Sequence, residues 1–364
     1  MPAAGKPLIT ANQVTVLRLI PMPLLSWLIY KGYERQDNTL LWAALIAGIV
    51  IGSTDWVDGM LARKYGPTVL GGLLDPIADK VFIAFAYTPF ADAIINLNSA
   101  GPPRTLVPWW ACALMFTREF FITALRSAYA QRDLQLKTSF LGKAKTWTQM
   151  QGIGMLLLFP LVANHNAILG GLIFGIVAPI VLFAGLWIVR RKVWRAAFWM
   201  SISFAGLTAV FLYDETYAPA ALMIGIVAIT WISGLDYIAL GWRELRGRGD
   251  FSLADGVRLI GSLSLPILLF SLLHYTTVPR WTIFTILAFE LAVGGLDNLL
   301  STHKVATKAL AWGGRVLGVS ILLAGALAIP ALATPLSIVA AGISVGGVIA
   351  EFARGKPYYV GALD

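Results

Sequence analysis

The sequence predicts an all-α, polytopic membrane protein, and three observations carry that prediction. Of its 364 residues 58% are hydrophobic and only 13% charged, with a mean hydropathy of +0.74. Soluble domains usually carry about 25% charged residues. Apolar runs of about 20 residues, long enough to cross a bilayer as helix, recur from end to end. Lysine and arginine gather in alternate connections between those runs, as the positive-inside rule requires. A transmembrane β-barrel does not fit, because its strands alternate apolar and polar residues and these runs do not.

About twelve transmembrane helices follow from the 20-residue criterion. They lie near 12–31, 39–62, 74–96, 106–129, 145–163, 168–189, 197–213, 219–241, 257–275, 281–300, 307–330 and 335–353. The polar opening MPAAGKPLITANQ lacks a signal-peptide pattern, so the first span is expected to be retained. Basic connections at Arg63–Lys64, Arg126 to Lys145, RRKVWR (190–195), WRELRGRG (242–249) and His303 to Arg315 put that side, and both termini, in the cytoplasm. The opposite side carries only Lys31, Arg35, Arg104 and Arg280. The net charge of +9 follows from this asymmetry and suits an anionic inner leaflet rather than a nucleic acid. Trp109, Trp110 and Trp281 fall near the predicted outer interface and Trp42 just inside it, as an aromatic belt. The lone Cys112 excludes an intrachain disulfide, and three scattered histidines give no zinc spacing. RGRGDFSLADG (246–256) is the expected domain boundary, dividing a catalytic region 1–248 from a four-helix membrane region 249–364.

Against this apolar background, DWVDGMLARKYGPTVLGGLLDPIADK (55–80) holds Asp55, Asp58, Asp75 and Asp79. Asp55 and Asp58 are three apart and share a helix face; Asp75 and Asp79 are four apart and share a face of the next helix. An antiparallel pair with a short link brings the two faces together near the inner surface. Each Asp at bilayer depth costs about 2.5–3.5 kcal/mol, and clustered carboxylates repel one another. Arg63 and Lys80 are too few to offset that. Divalent cations offset it: an all-oxygen set suits Mg²⁺ or Mn²⁺, with room for two ions and for substrate phosphates to complete the shells. The plainer alternative is a solvated helix-loop-helix, which does not explain two helical carboxylate pairs flanking one loop. Gly59, one turn from Asp55, would let a phosphate or ribose approach the backbone.

The pattern Asp55-x2-Asp58-Gly59-x2-Ala62-Arg63, then Gly71-x3-Asp75-x3-Asp79, resembles the signature of the CDP-alcohol phosphotransferases. One departure is that seven residues, not eight, separate Arg63 from Gly71, which bears on nucleotide contacts of 64–71 rather than on the carboxylates. The resemblance implies a CDP-linked lipid donor, attack by an alcohol hydroxyl on the lipid-side phosphorus, and departure of CMP. It implies that Asp55, Asp58 and Asp75 ligate metal and that Asp79 is both metal ligand and general base. Asn12, Thr15, Asp58, Gly59, Ala62, Arg63 and Gly71 would line the CDP-lipid site. A carboxylate beside a metal-held phosphate is also well placed, on general chemical grounds, to take the attacking proton.

TREFFITALRSAYAQ (117–131) sets Arg118 and Arg126 on roughly one helix face, and LGKAKTWTQM (141–150) adds Lys143 and Lys145. Four cations near the cytoplasmic end make an anion pocket. Positive-inside decoration accounts for Lys143 and Lys145, less well for Arg118, which lies deeper in apolar sequence. With ITANQVTVLRLIPMPLL (9–25) and ITWISGLDYIALGWREL (229–245), these stretches are similar to the phosphatidylglycerophosphate synthase branch of the family. That similarity implies CDP-diacylglycerol and sn-glycerol 3-phosphate as substrates, a homodimer, and an active site on the cytoplasmic face of the inner or plasma membrane. Spans 168–213 look like an insertion. Beyond 250, GVRLIGSLSLPILLF (256–270) echoes VLRLIPMPLL and GGLDNLLSTHK (294–304) echoes the Asp55 region, but with Asp297 alone no second metal site can form. Two further readings stand: the same chemistry on another phosphatidyl alcohol, as in cardiolipin synthases, and a transporter or lipid scaffold. Transport sites tend to lie near the bilayer midplane, which argues against the last.

Overall fold

A computed structural model describes residues 10–66, 68–95, 104–132, 140–162, 164–191, 195–248, 251–302 and 311–360. The helices are α1 (Ala11–Leu19), α2 (Met22–Arg35), α3 (Asn38–Tyr65), α4 (Val69–Asp92), α5 (Trp109–Ala130), α6 (Phe140–Leu161) and α7 (His165–Arg190). They continue as α8 (Arg195–Tyr213), α9 (Ala218–Arg248), α10 (Leu253–Tyr275), α11 (Arg280–Thr302), α12 (Ala311–Ala328) and α13 (Ala333–Val360). Among the described residues the extended structure is one two-residue bridge, Ile94–Ile95 paired antiparallel with Arg104–Thr105.

Among the described residues each predicted apolar segment falls on a helix, with one correction. The first segment is two helices, because Pro21 follows Ile20, lacks an N–H for the ladder and caps α2 instead. Where the sequence predicts about twelve transmembrane helices, seven segments among the described residues are long and apolar enough to cross a membrane. α8 and α12 are apolar but shorter. α4, α5 and α6, at 24, 22 and 22 residues, have the length, but they bear Asp75, Asp79, Lys80, Arg118, Glu119, Arg126 and Lys145. The missing apolarity is the polarity of the site. The chain is an integral membrane protein by its seven long apolar helices.

Local signals set the helix ends that matter. Thr10 opens α1 in a capping box with Gln13, and Thr68 caps α4 by accepting from Gly71 N at 2.9 Å. Gly66, at φ +100°, takes the left-handed turn that ends α3, leaving a very short link to α4. The predicted boundary falls between α9 and α10, but a single core crosses it, holding Met22, Phe90, Phe116, Phe270, Leu291 and Trp312 together. Phe116 of α5 stacks on Phe270 of α10 at 5.6 Å, and Phe85 of α4 on Phe284 of α11 at 5.9 Å. α7 and α8 pack on each other and leave large apolar side chains such as Phe174 (72% exposed) outward, as lipid-facing helices do.

Candidate active site

Three helices build the carboxylate cluster. α3 ends with Asp55 and Asp58, α4 begins with Asp75 and Asp79, and α1 lies across both. The buried Thr15 hydroxyl lies 3.1 Å from Asp58 Oδ2 and 3.0 Å from Asp75 Oδ1, so it bridges the two helices. Arg18, 2% exposed at its side chain, puts Nη1 2.9 Å from Asp55 and Nη2 3.2 Å from Asp79. Asn12 accepts from Thr68 at 2.8 Å, tying α1 to the cap of α4. A Cβ on Gly71 would stand 2.9 Å from Asn12 Oδ1, so this contact needs glycine there. Pro76, between the two α4 aspartates, removes one ladder N–H at the turn that carries them.

The four predicted carboxylates are thus brought together, with one guanidinium among them, and the cluster stays net negative. It also stays open: the side chains of Asp55 and Asp79 are 52% and 39% exposed. Gly59, Ala62 and Arg63 follow on the last turns of α3, with Arg63 exposed and folded back over Gly59. The sequence places Arg63 and Lys80 as neighbours of the carboxylates. Lys80 instead turns away, donating to Thr123 Oγ1 at 2.7 Å on α5.

That turn leads into a cavity of about 210 Å³ next to Asp79. Asp79, Lys80, Arg118, Arg126 and Lys145 all line it, so the predicted cation pocket and the α4 carboxylate share one space. Lys143 lies on α6, and its side chain is outside the described residues. Glu119, not anticipated as a site residue, stands among the cations: Lys145 Nζ is 2.6 Å and Arg118 Nη1 3.4 Å from its Oε1. α9 closes the far side. Arg118 donates to Ser233 at 2.9 Å, and Arg126 donates to the Tyr237 hydroxyl at 2.7 Å. Ser233 and Tyr237 lie more than a hundred residues from their partners, so no local spacing signals them.

Among the described residues no three Asp, Glu, His or Cys groups stand close enough to share one ion. The donors nonetheless fit a hard divalent cation in kind: all are carboxylate oxygens, and Asp79 Oδ1, though ion-paired with Arg18 at 3.2 Å, receives no hydrogen bond.

Fold and site together define a helical membrane protein whose buried-edge carboxylates adjoin a cationic pocket. Residues 8–187 match the model of the family described as CDP-alcohol phosphatidyltransferase. The chain is 36% identical over 151 residues to a protein of Mycobacterium tuberculosis (strain ATCC 25618 / H37Rv) named probable phosphatidylglycerophosphate synthase. That similarity covers 41% of this chain and 65% of the relative's length. It is 28% identical over 190 residues to the CDP-diacylglycerol–glycerol-3-phosphate 3-phosphatidyltransferase of Yersinia pestis (strain Pestoides F), covering 50% of this chain and 92% of the relative. No solved structure matches. The family match ends inside α7, so α9 and all that follows lie beyond it.

Proposed function

We propose that this protein transfers a phosphatidyl group from CDP-diacylglycerol to sn-glycerol 3-phosphate, giving phosphatidylglycerophosphate and CMP. One observation carries the choice of an anionic acceptor: Asp79 opens onto a cavity lined by Lys80, Arg118, Arg126 and Lys145. A neutral alcohol has no use for that many cations, whereas a phosphate monoester pairs with them in charge-assisted hydrogen bonds. The names of the relatives agree with the choice.

In this reading the donor headgroup lies along α1 and the end of α3, by Asn12, Thr15, Asp58, Gly59, Ala62, Arg63 and Gly71. Asp55, Asp58, Asp75 and Asp79 would hold one or two Mg²⁺ or Mn²⁺ ions, which when bound neutralise the pyrophosphate and favour in-line displacement. Arg118, Arg126, Lys143 and Lys145 hold the acceptor phosphate and orient its free hydroxyl. Asp79 takes the hydroxyl proton as the oxygen attacks the lipid-side phosphorus. A new phosphorus–oxygen bond forms, the bond to CMP breaks, and CMP leaves with the bonding pair. The positive-inside charge pattern supports a site at the cytoplasmic face, where a soluble acceptor would meet a membrane-held donor.

The test is CMP release by the purified full chain from CDP-diacylglycerol, with glycerol 3-phosphate, phosphatidylglycerol, inositol and serine as separate acceptors. Release with glycerol 3-phosphate alone is the expected result. Release with phosphatidylglycerol would assign the cardiolipin-synthase chemistry instead, and no release with any acceptor would remove the enzyme reading.

A further inference from the structure

We infer that α11, which lies beyond the family match, is a working wall of the active site: Leu291 faces the acceptor cavity and Gly295 seats the helix against the Asp75–Asp79 turn. This rests on the transferase reading above. Leu291 lines the cavity with Asp79 and the pocket cations, although it lies more than two hundred residues from Asp79 in sequence. One turn further along α11, Gly295 meets Ile77, the residue centred between Asp75 and Asp79. A Cβ at 295 would stand 2.9 Å from Ile77 Cγ1, closer than unstrained carbon atoms pack. Ile77 is 3% exposed and packed in the apolar core, so it can yield only by displacing its neighbours. Any side chain at 295 therefore pushes either α11 outward or the Asp75–Asp79 turn toward the carboxylate cluster.

Two further contacts hold α11 in this register. Phe284 stacks on Phe85 of α4 at 5.9 Å, and Arg280 pairs with Asp92 at the other end of α4 while its guanidinium lies 4.8 Å over the Tyr30 ring. α4 is thus braced along its whole length by a helix outside the matched domain. Gly295 and Ile77 touch no reacting atom in this arrangement; they are positioning residues. Leu291 borders the space that the acceptor occupies.

The experiment uses the full-length protein in detergent, with CMP release as readout and both substrates varied. Gly295→Ala should lower kcat about tenfold or more, because shifts well under 1 Å at a reacting centre are costly, while the KM for CDP-diacylglycerol changes little. Ile77→Ala removes the atoms that a Cβ would strike, so the double variant should recover most of the lost kcat. Leu291→Phe should raise the KM for glycerol 3-phosphate and leave that for the donor unchanged. A wild-type protein without CMP release removes the transferase reading and this inference with it. An active wild type with a fully active Gly295→Ala overturns the inference alone. So does a folded, monodisperse double variant as slow as the single one, since the loss would then not come from this contact.

Discussion

Two arginine–carboxylate clusters in this molecule are built alike and used differently. In one, a capping box at Thr10 starts α1, and Thr15 and Arg18 on that helix meet Asp55, Asp58, Asp75 and Asp79. In the other, a capping box at Ser252 starts α10, and Asp255 and Arg258 on that helix meet Asp297 of α11 and Arg132 at the end of α5. Aligning Arg18 with Arg258 places Thr15 on Asp255, in keeping with the echo between the two halves of the sequence. The second cluster matches two cations to two carboxylates and is shut, with Asp255, Arg258 and Asp297 exposed by 2%, 1% and 6%. The first has more carboxylates than cations and stays open. Charge balance lets a polar cluster serve as a joint in an apolar bundle; charge imbalance at an open edge costs stability and leaves a place for cations.

The largest effect that would break this contrast lies in the open cluster. Asp79→Asn keeps the shape and removes the proposed base, so turnover should fall by about 10²–10⁴-fold. Donor binding, read as CDP-diacylglycerol-dependent thermal stabilisation, should survive. A variant that retains more than about a tenth of the wild-type rate would show that Asp79 is not the base, given the usual size of proton-transfer catalysis.

Next in size is the closed cluster. Asp255→Ala removes the buried carboxylate that Arg132 meets at 2.5 Å and that Arg258 faces, and should destabilise the protein by about 3–5 kcal/mol. Asp55→Asn, in the open cluster, relieves repulsion while Arg18 keeps Asp79, so thermal stability should hold or rise as activity disappears. Equal losses of stability in both variants would erase the distinction between joint and site.

The proposed acceptor pocket comes third. Arg118→Ala should raise the KM for glycerol 3-phosphate by about one to two decades, the equivalent of roughly 1.5–3 kcal/mol for a charge-assisted contact. The KM for CDP-diacylglycerol should change far less. Similar shifts in both constants would place Arg118 on the donor side or in general packing.

What the sequence made legible was local. Apolar runs marked the helices, and spacings of three and four paired the aspartates, because both signals need only neighbouring residues. Arg118 and Arg126, eight apart, do face one cavity. The break at Pro21 was written in the sequence yet masked by apolar residues on both sides. The rest depends on tertiary approach: Arg18 slipping between Asp55 and Asp79, Lys80 turning from its own carboxylate neighbour to Thr123, and Glu119 holding Lys145. The same holds for Ser233, Tyr237 and Leu291, which come from helices far along the chain. No periodicity encodes such meetings.

The smallest prediction sharpens the comparison most finely, because it asks the same question of both capping boxes. Ser252, exposed like Thr10, accepts from Asp255 N at 3.2 Å, and its hydroxyl donates to Asp255 Oδ2 at 2.7 Å, so this cap is tied to the buried Asp255. Thr10 accepts from Gln13 N at 3.3 Å and is exposed, but its helix carries Asn12, Thr15 and Arg18 into the open cluster. Losing either cap costs about 1 kcal/mol of helix stability. In Ser252→Ala that loss falls on a joint that opens only when the bundle unfolds, so it should appear as a Tm lower by no more than about 2–4 °C. Its KM for CDP-diacylglycerol should stay at the wild-type value. In Thr10→Ala the first turn of α1 frays while the bundle stays closed, so Tm should barely move. The donor then meets an α1 that is ordered less of the time, and its KM should rise about fivefold, the equivalent of about 1 kcal/mol. Measuring Tm and donor KM on both variants decides it. If Thr10→Ala lowers Tm and spares KM, α1 is a structural joint like α10, and the donor site does not depend on its first turn.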